Sequence, residues 1–132
     1  MLNPTQQQNL NDVSRKVIGA SIEVHKEIGP GLLESAYEEC LSFELETQGL
    51  SIKRQVPLPI TYKGKVLSCG YRMDILVENE IILELKTVKK IEELHKAQLL
   101  SYLRMSGRHL GLILNFHSAY MKQGIKRIVN KF

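Results

Sequence analysis

An α/β fold of the mixed (α+β) kind, with N-terminal helices packed on a mixed central sheet of about four to five strands in the order α-α-β-β-β-α-β, is predicted by three features of the sequence. Apolar residues before Gly49 recur at helical spacing. Those from Ile52 to Lys86 alternate or run on between turn residues. A further helical stretch is then followed by one more apolar strand, and the intervening helix makes that strand parallel to its predecessor.

The polar residues Met1 to Asn9 read as a frayed tail, so that residues 1–10 form a flexible N-terminal segment ahead of a single domain over 11–132. Asn11 or Asp12 can cap a helix in which Val17, Ser21, Val24 and Ile28 follow an amphipathic 4-3-4 spacing. Gly29-Pro30-Gly31 stops it and a second helix starts at once. Its stripe is Leu33, Tyr37, Leu41 and Leu45, and it ends near Gly49.

From Ile52, the residues Val56, Leu58, Ile60 and Tyr62 alternate with polar residues or prolines. Pro57 and Pro59 cannot donate to a ladder, which makes this strand an edge or irregular. Lys63-Gly64 turns it into a strand from Lys65 to Val77, and Glu78-Asn79-Glu80 turns that one into Ile81 to Lys86. Three strands in hairpin connection make an antiparallel meander. A helix from about Ile91 to Met105 follows, with Ile91, Leu94 or His95, Gln98 and Tyr102 on one face, stopped by Ser106-Gly107. His109 to Phe116 reads as a buried strand, and Ile125 to Val129 as a short strand or helix.

Chemistry concentrates between Arg72 and Lys86. In the strand Ile81 to Lys86, side chains alternate faces, so Ile82, Glu84 and Lys86 share one. A strand this apolar is buried on both sides, where charge costs several kcal/mol unless paired or metal-bound, as general transfer data of roughly that size indicate. The preceding turn folds Asp74 back beside Glu84. Two carboxylates and an ammonium then converge, and the Leu85 backbone carbonyl adds an oxygen. Such hard donors suit Mg²⁺ or Mn²⁺. The plainer reading is an ion pair between Lys86 and Glu84 or Asp74 on a solvated edge, worth little. Glu34, in the first turn of the second helix, has two readings as well: a carboxylate favoured by the helix N-terminus, or a further metal ligand.

With 132 residues, 43% hydrophobic and 24% charged, the chain is long enough for its own core. It has no apolar run of membrane length and no signal peptide, which together point to the cytoplasm. Cys40 and Cys69 lack ligand spacing and read as small buried hydrophobes. His25, His95, His109 and His117 are not spaced as metal ligands either, although His95 lies one turn before Gln98. No G-x-G-x-x-G or P-loop is present, which excludes the familiar nucleotide-binding patterns. The net charge of +4 is unevenly spread: all 14 acids lie at or before Glu93, so Leu94 to Phe132 carries +7 and the rest −3. A basic surface beside an acidic pocket suits a phosphodiester substrate, and solvated lysines that merely keep the protein soluble are the alternative.

The element order, with Asp74 and Glu84-Leu85-Lys86 at the end of the meander, resembles the restriction-endonuclease-like PD-(D/E)XK superfamily. Gly31-Leu32-Leu33-Glu34-Ser35-Ala36-Tyr37 matches the motif of the GxxExxY protein family, which is placed in that superfamily. The likeness runs from about Val13 to Val129. Gln98-Leu99-Leu100-Ser101-Tyr102 is similar to the QxxxY motif of the RecB-like branch. The resemblance implies a restriction-endonuclease-like core and a nuclease that hydrolyses nucleic acid, DNA above all. It implies Glu34, Asp74, Glu84 and the Leu85 carbonyl as ligands of Mg²⁺ or Mn²⁺, and Lys86 as the residue that orients or activates the attacking water. Gln98 and Tyr102 would support the pocket or touch the substrate phosphate. The basic residues Lys96, Arg104, Lys126 and Arg127 would hold the flanking backbone. Met73 stands where the superfamily name has proline. A nuclease core this small would also use a second copy to cut two strands, so a homodimer is part of the expectation. Two other classes compete: a nucleic-acid-binding module without cleavage, and a protein-interaction module in which the charged residues form a buried ion network.

Overall fold

The computed structural model describes residues Met1–Phe132, and its first helix begins earlier than the tail reading expects. Asn3 caps helix α1 (Pro4–Ile28): its side chain accepts from the Gln6 amide at 2.8 Å, and the Gln6 side chain accepts from the Asn3 amide at 2.9 Å. This reciprocal capping box, with proline at the first helical position, starts the helix ahead of Asn11. Residues 1–10 are thus mostly helical. Leu10 is buried in the core, and the Gln7 side-chain amide donates from Nε2 to the Phe132 carbonyl at 2.7 Å. The buried stripe Leu10, Ser14, Val17, Ser21, Val24 keeps the 4-3 alternation throughout. The polar run Gln6-Gln7-Gln8-Asn9 hid it because it forms mostly exposed helix surface.

Helix α2 (Glu34–Thr47) buries Tyr37, Leu41 and Leu45 completely. Leu33, expected to head this stripe, is instead the N-cap residue and 77% exposed. Tyr37 does the work at this end. Its ring stacks on Phe116 with centroids 4.4 Å apart, its hydroxyl donates to the Gly29 carbonyl at 2.6 Å, and the same oxygen accepts from the Leu32 amide at 3.2 Å. The turn between the helices is therefore clamped from below by one phenol. Gly29 and Gly31 both have positive φ, which glycine adopts without strain.

The central sheet has five strands in the order β1-β4-β5-β6-β7. These are β1 (Ile52–Pro57), β4 (Arg72–Val77), β5 (Ile81–Lys86), β6 (Leu110–Asn115) and β7 (Ile125–Val129). Only β5 and β6 are parallel, as the crossover through α3 (Glu93–Ser106) requires. A short 3₁₀ turn, Met121–Gly124, precedes β7. The expected continuous strands on either side of Lys63-Gly64 are each broken. They yield a separate hairpin of β2 (Ile60–Tyr62) and β3 (Lys65–Leu67). The first break falls at the Pro57-Leu58-Pro59 segment, the second at Ser68 to Tyr71, where Gly70 turns with φ 78°. The two tight turns lie where expected, with Lys63, Gly64, Glu78 and Asn79 all at positive φ.

The sheet is covered on both faces. Helices α1 and α2 pack on Ile75, Val77, Ile81, Leu83, Leu85 and on Leu110, Leu112 and Leu114 of β6. Helix α3 packs Leu99, Tyr102 and Leu103 on Leu76, Ile82 and Ile113. Gly111 lets α3 approach closely, since a Cβ there would lie 2.9 Å from a Leu99 methyl. Leu94 does not join the α3 core; it is 77% exposed. Of the two cysteines, both free, Cys40 is half-buried and Cys69 is exposed in the loop after β3, where no core is near enough to cover it. No helix is long and apolar enough to cross a membrane.

Candidate active site

The pairing of β4 with β5 runs from Val77–Ile81 to Ile75–Leu83, so the next residues along, Asp74 and Glu84, are neighbours across the strands. Here the ladder opens. On the other side, β1 pairs Arg54 with Ile75 and Val56 with Met73 but skips Gln55, which has a φ of 49°. Asp74 fills the gap with its side chain, its Oδ2 accepting from the Leu85 amide at 2.8 Å. Its Oδ1 lies 3.4 Å from the Gln55 amide nitrogen, which also donates to Glu38. Glu38 in turn binds the Arg54 guanidinium at 2.7 Å.

Glu84 is only 7% exposed, and its Oε1 has no hydrogen-bond partner. Burial first, and then the Asp74 carboxyl beside it, push its acid up to about 9; the Lys86 ammonium acts in the opposite sense. A neutral-pH protein without a cation therefore keeps a proton on this group. The phenol of Tyr102 is raised to about 12 by burial, with smaller contributions from Glu84, Tyr71 and Asp74, so it remains a hydrogen-bond donor.

Lys86 follows on the Glu84 face and is half-buried. Its carbonyl accepts from the Phe116 amide at 2.9 Å, and its neighbour in the parallel register is Asn115. The buried Asn115 side-chain amide grips both main-chain groups of Val88, two residues beyond Lys86, donating to its carbonyl at 2.7 Å and accepting from its N–H at 3.1 Å. Lys86 thus leaves the strand with its backbone fixed on two sides.

Two clefts flank the acidic pair. One, of about 690 Å³, is bordered by Lys86, Gln98, Tyr102, His95 and Tyr71. The other, of about 460 Å³, is bordered by Asp74, Leu85, Gln55, Glu38 and Glu34. Glu34 therefore shares a cleft with Asp74, but as an exposed side chain at the start of α2, and no three His, Cys, Asp or Glu side chains converge as a metal-holding group. The oxygen-only donor set of Asp74, Glu84 and the Leu85 carbonyl nevertheless fits a hard divalent cation that keeps several waters, and the unpartnered Glu84 oxygen is the atom such an ion would satisfy.

A sequence model of the PD-(D/E)XK nuclease superfamily matches residues 11–128. The chain belongs to that superfamily. No curated protein and no solved structure matches it significantly. The α+β arrangement with a mixed five-stranded sheet agrees with the restriction-endonuclease-like fold.

Met73, which the resemblance sets where the superfamily name has proline, is buried beneath α3. The remaining predicted residues scatter. Lys126 pairs with Ile113, which pairs with Glu84, so all three lie in one row on the α3 face. Arg127 alternates to the opposite face, where it binds Asn11 at 3.0 Å and covers the Phe132 ring. It is not brought to the acidic pair. Lys96 pairs with Glu93 at 3.2 Å, and Arg104 is exposed on α3. His95 lines the Lys86 cleft while its Nδ1 accepts from the Glu92 amide at 2.9 Å as part of the α3 cap. Asn115, Gln55 and Tyr71 were not picked out by the sequence reading. Asn115 had a signal, a lone polar residue closing an apolar strand; Gln55 and Tyr71 had none.

Proposed function

We propose that this chain is a Mg²⁺- or Mn²⁺-dependent nuclease that hydrolyses phosphodiester bonds of nucleic acid, DNA in the first instance. The observation that carries the reading is the pairing of half-buried Asp74 with buried Glu84, whose one carboxylate oxygen is unpartnered, two residues before a half-buried lysine on the same face. Membership of the nuclease superfamily supports it. Holding an unpartnered carboxyl group in the interior beside a second one costs stability, and groups so perturbed cluster at functional sites.

In this reading Asp74, Glu84 and the Leu85 carbonyl hold the cation, with Glu34 approaching from the Asp74 cleft. When bound, the cation draws charge from the scissile phosphate and lowers the pKa of a water. The chain's own groups do the rest. Leu85 donates its amide to Asp74 and so fixes one carboxylate oxygen, while the other has only the longer 3.4 Å contact from the Gln55 side-chain amide. The Lys86 ammonium orients the attacking water and offers positive charge where the phosphoryl oxygens gain negative charge. Gln98 and Tyr102 supply hydrogen bonds to phosphate from the cleft wall, and Lys96, Arg104 and Lys126 attract the flanking backbone.

The test compares the parent with the double variant Asp74→Asn, Glu84→Gln. Calorimetric titration with Mn²⁺ and incubation with labelled single- and double-stranded DNA should give binding and cleavage for the parent and neither for the variant. A folded parent that neither binds Mn²⁺ nor cuts would leave a nucleic-acid-binding or protein-interaction module as the answer.

A further inference from the structure

The cleft beside Lys86 gathers apolar side chains that the core does not use. Leu94 is 77% and Tyr71 40% exposed, and Ile60 and Met105 complete the wall. Single exposed hydrophobics are ordinary; several around one concavity mark a binding site. The Tyr71 ring is held edge-to-face against Tyr102 at 5.9 Å, so it is an oriented surface and not a loose one. Gln98 and Ser101 bring an amide and a hydroxyl to the same wall, which together can donate and accept.

We propose that this cleft seats an unpaired nucleobase, which gives the nuclease proposed above, on whose assignment this rests, a single-stranded substrate. Its volume of about 690 Å³ lies in the range of small-ligand sites, roughly 300–1,000 Å³. A base inside a duplex has its faces stacked and its edges paired, so it cannot enter such a site. A base on a single strand can, and aromatic and apolar walls bind its face with little regard to sequence. The charges agree. No carboxylate borders the cleft, and its one amine is Lys86. Arg72 follows Tyr71, Arg104 precedes Met105, and Lys89 and Lys90 are exposed just beyond β5. Of the acids at the start of α3, Glu93 is paired with Lys96. A strand whose base lies on Tyr71 and Leu94 runs its phosphates past Lys86, toward the acidic pair.

The experiment is fluorescence anisotropy in EDTA, so that binding is read without cleavage. The probes are a labelled oligothymidylate of about 20 nucleotides, the same strand in duplex with oligoadenylate, and an abasic strand of equal length. The parent should bind the single strand at least about tenfold tighter than the abasic strand, and Tyr71→Ala and Leu94→Asp should each lose about tenfold for the single strand alone. Leu94 is so exposed that its substitution leaves folding intact, which an unchanged melting temperature verifies. Equal binding of the single and abasic strands, or variants that bind the single strand like the parent, would overturn the base seat. The two readings fail separately. Mn²⁺-dependent cleavage that is equally fast on both DNA forms, with variants matching the parent, keeps the nuclease and removes the seat. Single-strand binding lost in both variants, without any cleavage by the parent, keeps the seat and removes the nuclease.

Discussion

The Asp74 carboxylate accepts the Leu85 amide at 2.8 Å across a gap where the β4–β5 ladder ends and the β1–β4 ladder skips a residue. One residue therefore closes the sheet's hydrogen bonding and borders the candidate site.

Removing the acceptor separates these two tasks. Asp74→Ala leaves the Leu85 amide without its partner and should cost about 1–3 kcal/mol in urea unfolding. Asp74→Asn keeps an acceptor oxygen and should cost about 1 kcal/mol or less. Both should abolish Mn²⁺ binding in calorimetry. If Asp74→Asn bound Mn²⁺ as the parent does, the assignment of this carboxylate as a ligand would be lost.

Glu84 makes stability depend on pH. Its acid is held at about 9 in the fold against the ordinary carboxylate value of 4.5, so the folded chain keeps a proton that the unfolded chain releases. The contribution is complete below the ordinary value and is lost as pH rises toward the folded one. In EDTA, the melting temperature should fall from about pH 5 to about pH 9, and Glu84→Gln should flatten that slope. Saturating Mg²⁺ at alkaline pH should restore stability, because a cation binds the ionised pair only in the folded chain.

Asn115 holds the backbone of Val88, two residues beyond Lys86. Asn115→Leu removes both bonds to Val88 and should destabilise the protein by about 2–4 kcal/mol. The functional expectation is a split: Mn²⁺ affinity close to that of the parent, and a cleavage rate at saturating substrate at least several-fold lower. A variant that unfolds less easily than this yet cleaves normally would mean that the backbone after β5 needs no fixing.

Lys126 and Arg127 are adjacent in sequence but lie on opposite faces of β7. Lys126→Ala should reduce DNA affinity across all sequences and lower the salt slope by about one. Arg127→Ala should leave both unchanged. Reversal of these two results would put the nucleic acid on the α1 face.

The Tyr37 hydroxyl ties the interhelical turn without reaching the acidic pair. Tyr37→Phe retains the stack on Phe116, loses the bonds to Gly29 and Leu32, and should cost about 1–2 kcal/mol with cleavage unaffected. Cleavage that fell out of proportion to the melting temperature would give this residue a role in the chemistry.

What the sequence conveyed followed from periodicity and turn chemistry. The antiparallel β4–β5 hairpin and the Asp74–Glu84–Lys86 grouping were readable because alternation and the Glu78–Glu80 turn fix which residues face each other, and the parallel β5–β6 pair because a helix intervenes. Three things were not. The start of α1 was masked by a polar helix face whose cap lay upstream at Asn3. The hairpin of β2 and β3 depends on where prolines and Gly70 interrupt pairing, and alternation alone runs straight through them. The separation of Arg127 from the site follows from a one-residue alternation on an edge strand, which a count of basic residues cannot resolve.

The acidic pair, Lys86 and Asn115 all stand at one end of the three central strands, while Glu78, Asn79 and Arg108 occupy the other. The connections overhanging the working end, residues 58–71 and 87–92, contribute few residues to the shared core. On the proposed nuclease reading they are the part that can be exchanged like a tool bit: a different hairpin or crossover loop would change what is gripped, while the strands that carry the charged groups stay as they are.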